Sequence, residues 1–122
     1  MDEHPIHRTT TAELDGGILL ISVSGAIDAA SRPPVAAELD AAFDGQPGGV
    51  VLDLREVDFM GSTGIAMLVN AHHRADRLRI PFGVVADNRP VLRPLQMSQV
   101  DAALPLHRTV DEAVTAIRLV ST

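Results

Sequence analysis

Apolar positions in the first part of the chain recur every second residue. Ile6 to Leu14 alternates, with Ile6, Arg8, Thr10, Ala12 and Leu14 on one side, and this predicts an edge strand preceded by a loose terminus over residues 1–5. Asp15-Gly16-Gly17 is a hairpin turn signal. Ile18 to Ser24 is a run of β-prone residues that predicts a buried strand, ended by Gly25-Ala26-Ile27-Asp28. The period then lengthens. Ser31-Arg32-Pro33-Pro34 starts a helix, because proline is tolerated in a first turn whose N–H groups have no partner. Val35, Leu39, Ala42 and Phe43 give that helix one apolar face, with Glu38, Asp40 and Asp44 left to water. Gly45-Gln46-Pro47-Gly48-Gly49 breaks it and leads into a strand over Val50–Leu54.

A second helical period runs from Ile65 to Leu78. It buries Ile65, Leu68, Ala71, Ala75 and Leu78, turns His72, His73, Arg74, Asp76, Arg77 and Arg79 outward, and stops at Pro81. Phe82–Ala86 is a fourth strand. Asn88-Arg89-Pro90 opens a short helical turn that Pro94 limits or distorts, with Leu92, Leu95 and Met97 buried. Ser98 to His107 has no clear pattern beyond a short extended piece at Leu104-Pro105-Leu106. Thr109-Val110-Asp111-Glu112 is a capping box, opening a last helix that buries Val110, Val114 and Ile117. The order β-β-α-β-α-β-α-α predicts one α/β domain. Its sheet is mixed and mostly parallel, of four to five strands, with about four helices, right-handed crossovers and an antiparallel hairpin at one edge. Sites in such sheets gather beyond the carboxyl ends of the strands. The two loops expected there are Gly25–Ser31 and Asp58–Gly64, which would bring Asp28 near Ser62.

Composition narrows the chemistry. A chain of 122 residues, 46% hydrophobic, is enough for one domain with a real core, and its three aromatic residues, all Phe, leave that core to aliphatic side chains. The absence of Cys removes disulfides, thiolate catalysis and Cys-based zinc sites. The net charge is −6 and all ten basic residues are Arg, without a basic stripe, so nucleic acid is a poor partner. No apolar run approaches a membrane span, and Met1–Pro5 has neither a basic start nor an apolar core of a signal peptide; a cytoplasmic protein without cofactor or metal is expected. With no Lys, a phosphate-binding P-loop is excluded, and neither a dinucleotide fingerprint nor a G-x-S-x-G elbow occurs. His4, His7, His72, His73 and His107 all fall outside the two loops, which argues against a serine hydrolase. His72 and His73 would point about 100° apart on a helix and cannot easily share an ion. Asp28, Asp53 and Asp58 could form an acidic cluster, but without metal spacing; Asp53 is otherwise a polar partner on a half-exposed strand face.

What remains is Asp58-Phe59-Met60-Gly61-Ser62-Thr63-Gly64-Ile65, two hydroxyls between two glycines where a strand turns into a helix. Ser62 or Thr63 is expected at the N-cap, facing the free N–H groups of the first turn. A phosphate there would meet those donors and the positive end of the helix dipole; the same residues also suit an ordinary cap. Phosphorylation would add roughly 1.5 to 2 negative charges. A partner packed over that end, against Phe59-Met60 and Asp58, would then be lost through sterics and the cost of desolvating charge. These residues favour a binding module over an enzyme.

Three motifs, in register, resemble the STAS domain of bacterial anti-sigma factor antagonists. Ser24-Gly25-Ala26-Ile27-Asp28 resembles the family's G-E-[IL]-D, Val50-Val51-Leu52-Asp53-Leu54 its third strand, and Asp58 to Ile65 its F-[MI]-D-S-[ST]-G-L signature. The likeness runs from about Ile18 to Leu119 and implies a single STAS domain over residues 1–122. It further implies that the unphosphorylated chain binds an anti-sigma factor carrying a GHKL-type serine kinase domain, and so releases a sigma factor. Phosphorylation at Ser62, with Thr63 as second choice, would end binding, and a PP2C-type phosphatase would restore it. The partner-binding positions carried over are Asp28, Asp58, Met60, Gly61, Ser62, Thr63 and Gly64. Gly61 stands where the signature has Asp and Ala26 where it has Glu, which bears on the efficiency of phosphorylation and the choice of kinase. The alternative is a STAS scaffold or accessory subunit of a larger assembly, with no phospho-switch.

Overall fold

The computed structural model describes residues 8–120, so Ile6 of the expected first strand and the terminus ahead of it lie outside the described residues. The elements are β1 (Arg8–Leu14), β2 (Ile18–Ile27), α1 (Arg32–Asp44), β3 (Gly49–Met60), α2 (Ser62–Leu78), β4 (Phe82–Val85), α3 (Arg89–Met97), β5 (Leu106–His107) and α4 (Val110–Val120). The five strands lie in the order β1-β2-β3-β4-β5. β1 pairs antiparallel with β2, and every other pair is parallel. The mixed, mostly parallel sheet and the four helices agree with the pattern.

The hairpin closes with Leu14 opposite Ile18, and Gly16 and Gly17 take the positive φ of its turn. Alternation along the strands then divides the core. Leu19, Ile21 and Val23 of β2, Val50, Leu52 and Leu54 of β3 and Val84 of β4 face α1, α2 and α3. Ile18, Val51 and Val85 face the other way and pack with Ala113 and Ile117 of α4. In α1 the buried residues are Val35, Leu39, Ala42 and Phe43, as the period predicts. Arg74 of α2 bridges Asp40 and Asp44 on the outer face of α1 and lies over the Phe43 ring. In α4, Thr109 Oγ1 accepts the Glu112 N–H at 3.0 Å, so Thr109 caps the helix as expected, while Glu112 Oε1 accepts the N–H of Arg108 at 3.1 Å, one residue ahead of the cap that a full capping box would use. Val110 and Val114 are half-buried there, flanking the buried Ala113 and Ile117.

The structure differs from the expected elements in five places. β2 does not end at Ser24 but runs through Ile27, and β3 does not end at Leu54 but runs through Met60. Two register shifts, between Ser22 and Ser24 and between Gly25 and Ala26, keep these strands paired. The shifts turn the inward spacing of β3 from two to three, so Leu54, Val57 and Met60 are buried while Arg55, Glu56, Asp58 and Phe59 turn outward. β4 pairs with β3 only as far as Asp53. Beyond that the amide of Asn88 donates to Leu54 O at 3.0 Å and to Val57 O at 2.7 Å, serving the carbonyls that β4 leaves unpaired. In α2, Met67 takes the core position expected of Leu78, which is exposed in the last turn. α3 is a nine-residue helix that contains Pro94. The bond Pro94 forfeits would reach only the first turn, and the burial of Val91 and Leu95 holds the helix in place. Met97, at its end, is exposed and not buried. The extended piece near Leu104 is a fifth strand of two residues, Leu106–His107.

Candidate functional site

The carboxyl ends of β2 and β3 lie side by side, with Ile27 opposite Met60. The Gly61 N–H donates to Ile27 O at 3.0 Å, tying the strand-to-helix junction to the residue before Asp28. The backbone places Asp28 and Ser62 at the same end of neighbouring strands, as the topology predicts. The connections differ from the expected loops, since Gly25–Ile27 and Asp58–Met60 belong to the strands and Gly61 alone joins β3 to α2.

Gly61, and neither Ser62 nor Thr63, is the N-cap of α2. Its backbone is extended, with φ −87° and ψ 178°, and its carbonyl accepts the N–H groups of Gly64 at 3.0 Å and Ile65 at 3.1 Å. Ser62 is the first helical residue. No side chain caps this helix end, and its first turn holds no acidic residue. Ser62 is exposed and Thr63 half-buried, and neither hydroxyl is engaged in a hydrogen bond among the described residues.

Gly64 and Met60 lie beneath this surface. Met60 is 4% exposed, and a Cβ on Gly64 would come within 2.5 Å of Met60 Sδ and 2.9 Å of Ile27 Cγ2. The missing side chain lets the first turn of α2 settle onto the strand ends. These two positions, expected to touch a partner, therefore shape the site from behind. The outer surface is made by Asp58, Phe59, Gly61, Ser62 and Thr63. Phe59, expected beside the acceptor together with Met60, is 53% exposed, and its Cε2 lies 3.4 Å from where a Cβ on Gly61 would be. The other two phenylalanines, Phe43 and Phe82, pair with ring centroids 5.9 Å apart inside the protein. The three-residue inward spacing of β3 is what separates the pair, turning Phe59 outward and Met60 inward.

Asp28 also has a task within the fold. Its Oδ1 accepts the N–H groups of Ala30 and Ser31, both at 3.0 Å. The Ser31 hydroxyl accepts the Asp28 N–H at 3.0 Å and donates to Ala26 O at 2.6 Å. The bond from the Ser31 N–H holds the Asp28 carboxyl below the usual carboxylate range, with Ser31's hydroxyl and Ala30 adding to it against a smaller opposing cost of burial. Asp28 thus builds the turn that leaves β2. Asp53 joins neither Asp28 nor Asp58. Its two oxygens accept Nε and Nη2 of Arg55, each at 2.9 Å, in a forked ion pair. Among the described residues no group of three His, Cys, Asp or Glu could hold a metal ion, and the rings of His72 and His73 are 6.1 Å apart. No helix among the described residues is long and apolar enough to cross a membrane.

Residues 9–113 match the family model described as STAS domain. The chain is 27% identical over 114 residues to the anti-sigma-F factor antagonist RsfB of Mycobacterium tuberculosis, covering 93% of each chain. It superposes on the crystal structure of an anti-sigma factor antagonist from Mycobacterium paratuberculosis with a TM-score of 0.85 and 33% identity, over 93% of this chain and 95% of that one. The Bacillus cell fate determinant SpoIIAA in its phosphorylated form shares the fold, with a TM-score of 0.69 and 14% identity, over 90% of this chain and 99% of that one.

Proposed function

Since the chain belongs to the STAS domain family, we propose that it is an anti-sigma factor antagonist switched by phosphorylation at Ser62. Unphosphorylated, it binds an anti-sigma factor with a GHKL-type serine kinase domain and releases the sigma factor. Phosphorylation ends that binding, and a PP2C-type phosphatase restores it. The observation that carries this reading is an exposed hydroxyl, engaged by nothing among the described residues, on the first residue of an uncapped helix. The free N–H groups and the helix dipole favour a phosphate on their own helix end. A partner closed over the same end would have to take up a group of roughly −1.5 to −2 charge without water. The names of the mycobacterial relatives support the regulatory class.

The test is intact mass after incubation with ATP and the anti-sigma kinases of the source organism, with wild type and Ser62→Ala in parallel. One phosphate gained by wild type and none by Ser62→Ala is the expected outcome. A gain that survives Ser62→Ala moves the acceptor to Thr63. In binding, Ser62→Asp should lose the anti-sigma factor and Ser62→Ala should keep it. A second reading, a STAS scaffold without a switch, is favoured by one feature: Gly61 removes the carboxylate that the signature places beside the acceptor. Equal binding by both variants, with no phosphate gained, would establish the scaffold.

A further inference from the structure

We infer that Phe59 is the anchor of the partner interface, and that the anti-sigma factor meets it with an apolar socket edged by arginine or lysine. This rests on the function proposed above and adds to it the residue and the chemistry of recognition. Phe59 is 53% exposed, whereas of the other two aromatic residues Phe43 is buried and Phe82 half-buried against the core. The remaining large exposed apolar residues, Leu78, Met97, Leu119 and Val120, all lie in the last turns of helices. In a parallel α/β sheet those turns are at the amino ends of the strands, away from Ser62. Among the described residues Phe59 alone of these lies at the carboxyl end, within three residues of the acceptor. Its place is built by two features. The register shifts of β3 turn position 59 outward while Met60 stays buried, and Gly61, lacking a side chain, leaves its Cα beside the ring. A rigid aromatic ring at the centre of a patch is the common form of a binding hot spot.

The rim supplies the second half of the inference. Glu56 and Asp58 are exposed on β3 on either side of buried Val57, and Asp28 and Asp87 stand at the ends of the flanking strands β2 and β4. Among the described residues none of these four lies within ion-pair distance of a cation, and the Arg55 guanidinium, forked on Asp53, offsets part of the charge of Glu56 and Asp87. An apolar centre with a rim that stays predominantly acidic is complementary to an apolar socket with a cationic edge. The centre would set how slowly the complex dissociates, and the rim how fast it forms. The same rim makes phosphorylation more effective, because the new anion joins charges already gathered there.

The experiment measures association and dissociation rates of the unphosphorylated chain with each full-length anti-sigma factor of the source organism, at low and high salt. It compares wild type, Phe59→Ala, Glu56→Gln/Asp58→Asn and Met97→Ala. Thermal melts check that each variant folds, which the exposure of all four positions favours. The expected result is a Phe59→Ala affinity weaker by about 30-fold or more, mostly in dissociation. The paired neutralisation should slow association at low salt only, and Met97→Ala should bind like wild type. Wild-type binding with Phe59→Ala within about threefold of it would overturn the anchor and leave the function standing. An affinity lost equally in Met97→Ala would overturn it too, by showing general stickiness. No binding by wild type to any anti-sigma factor would sink the function and this inference together.

Discussion

Gly61 is a glycine whose backbone does not require one. Its φ of −87° and ψ of 178° are those of an ordinary N-cap, open to any residue, and a Cβ there would rest at normal contact, 3.4 Å, from the Phe59 ring. Gly61→Asp should therefore fit, and its carboxylate should accept an N–H from the first turn of α2. Over a glycine a good N-cap is worth only a few tenths of a kcal/mol, which in a domain of this size raises Tm by about 1–2 °C. Gly61→Ala should give no such rise, since it offers no acceptor. Phosphorylation of Ser62 acts on the same helix end. In the wild type the first turn of α2 holds no acidic residue, so the phosphate meets its free N–H groups and should raise Tm; in Gly61→Asp a carboxylate already takes part of them and the rise should shrink. Melting curves of the four species, phosphorylated and not, check both statements.

At the scale of elements, β3 and the first turn of α2 form a single unit. The strand brings Met60 under the helix, and Gly64 gives it room. Gly64→Ala puts a methyl group where Met60 Sδ and Ile27 Cγ2 already are, and overpacking of this kind costs about 1–3 kcal/mol. A denaturant midpoint lowered with unchanged slope would show it; an unchanged midpoint would mean that Met60 can swing aside freely. The same unit shows what could be read in the chain. The α1 face was legible to the residue because a helix has one period and nothing disturbs it. β3 was legible only to Leu54, because a β-bulge changes the spacing of inward positions and no alternation rule follows it. Met60 therefore looked as much a part of the surface as Phe59, and only the bulge tells the two apart. Asn88 was legible as a helix start, but its bonds to Leu54 and Val57 depend on how far β4 reaches, which no local pattern contains. Ser62 was found through the glycines around it, although the cap proved to be Gly61.

For the molecule as a whole, the sheet separates two packed layers. The site and α1, α2 and α3 belong to one; α4 covers the other, through Ala113 and Ile117 against Ile18, Val51 and Val85. Ile117→Ala should cost about 2–5 kcal/mol of stability. Affinity for an anti-sigma factor, measured below the lowered Tm, should stay as in wild type, because the docking surface lies at the strand ends and takes nothing from α4. A joint loss of stability and affinity would show that the layers communicate. The hairpin adds a practical consequence. β1 runs antiparallel to β2, so Arg8, opposite Ser24, leaves the sheet at the end where β2 approaches the acceptor serine. α4 finishes at the other end, where the Arg118 guanidinium donates to Asp15 O of the hairpin turn at 3.4 Å. Of the two described ends, Arg8 therefore lies nearer the surface under study, and an attachment on the α4 side starts from the opposite end of the sheet. Reporter fusions and surface immobilisation should use the latter attachment.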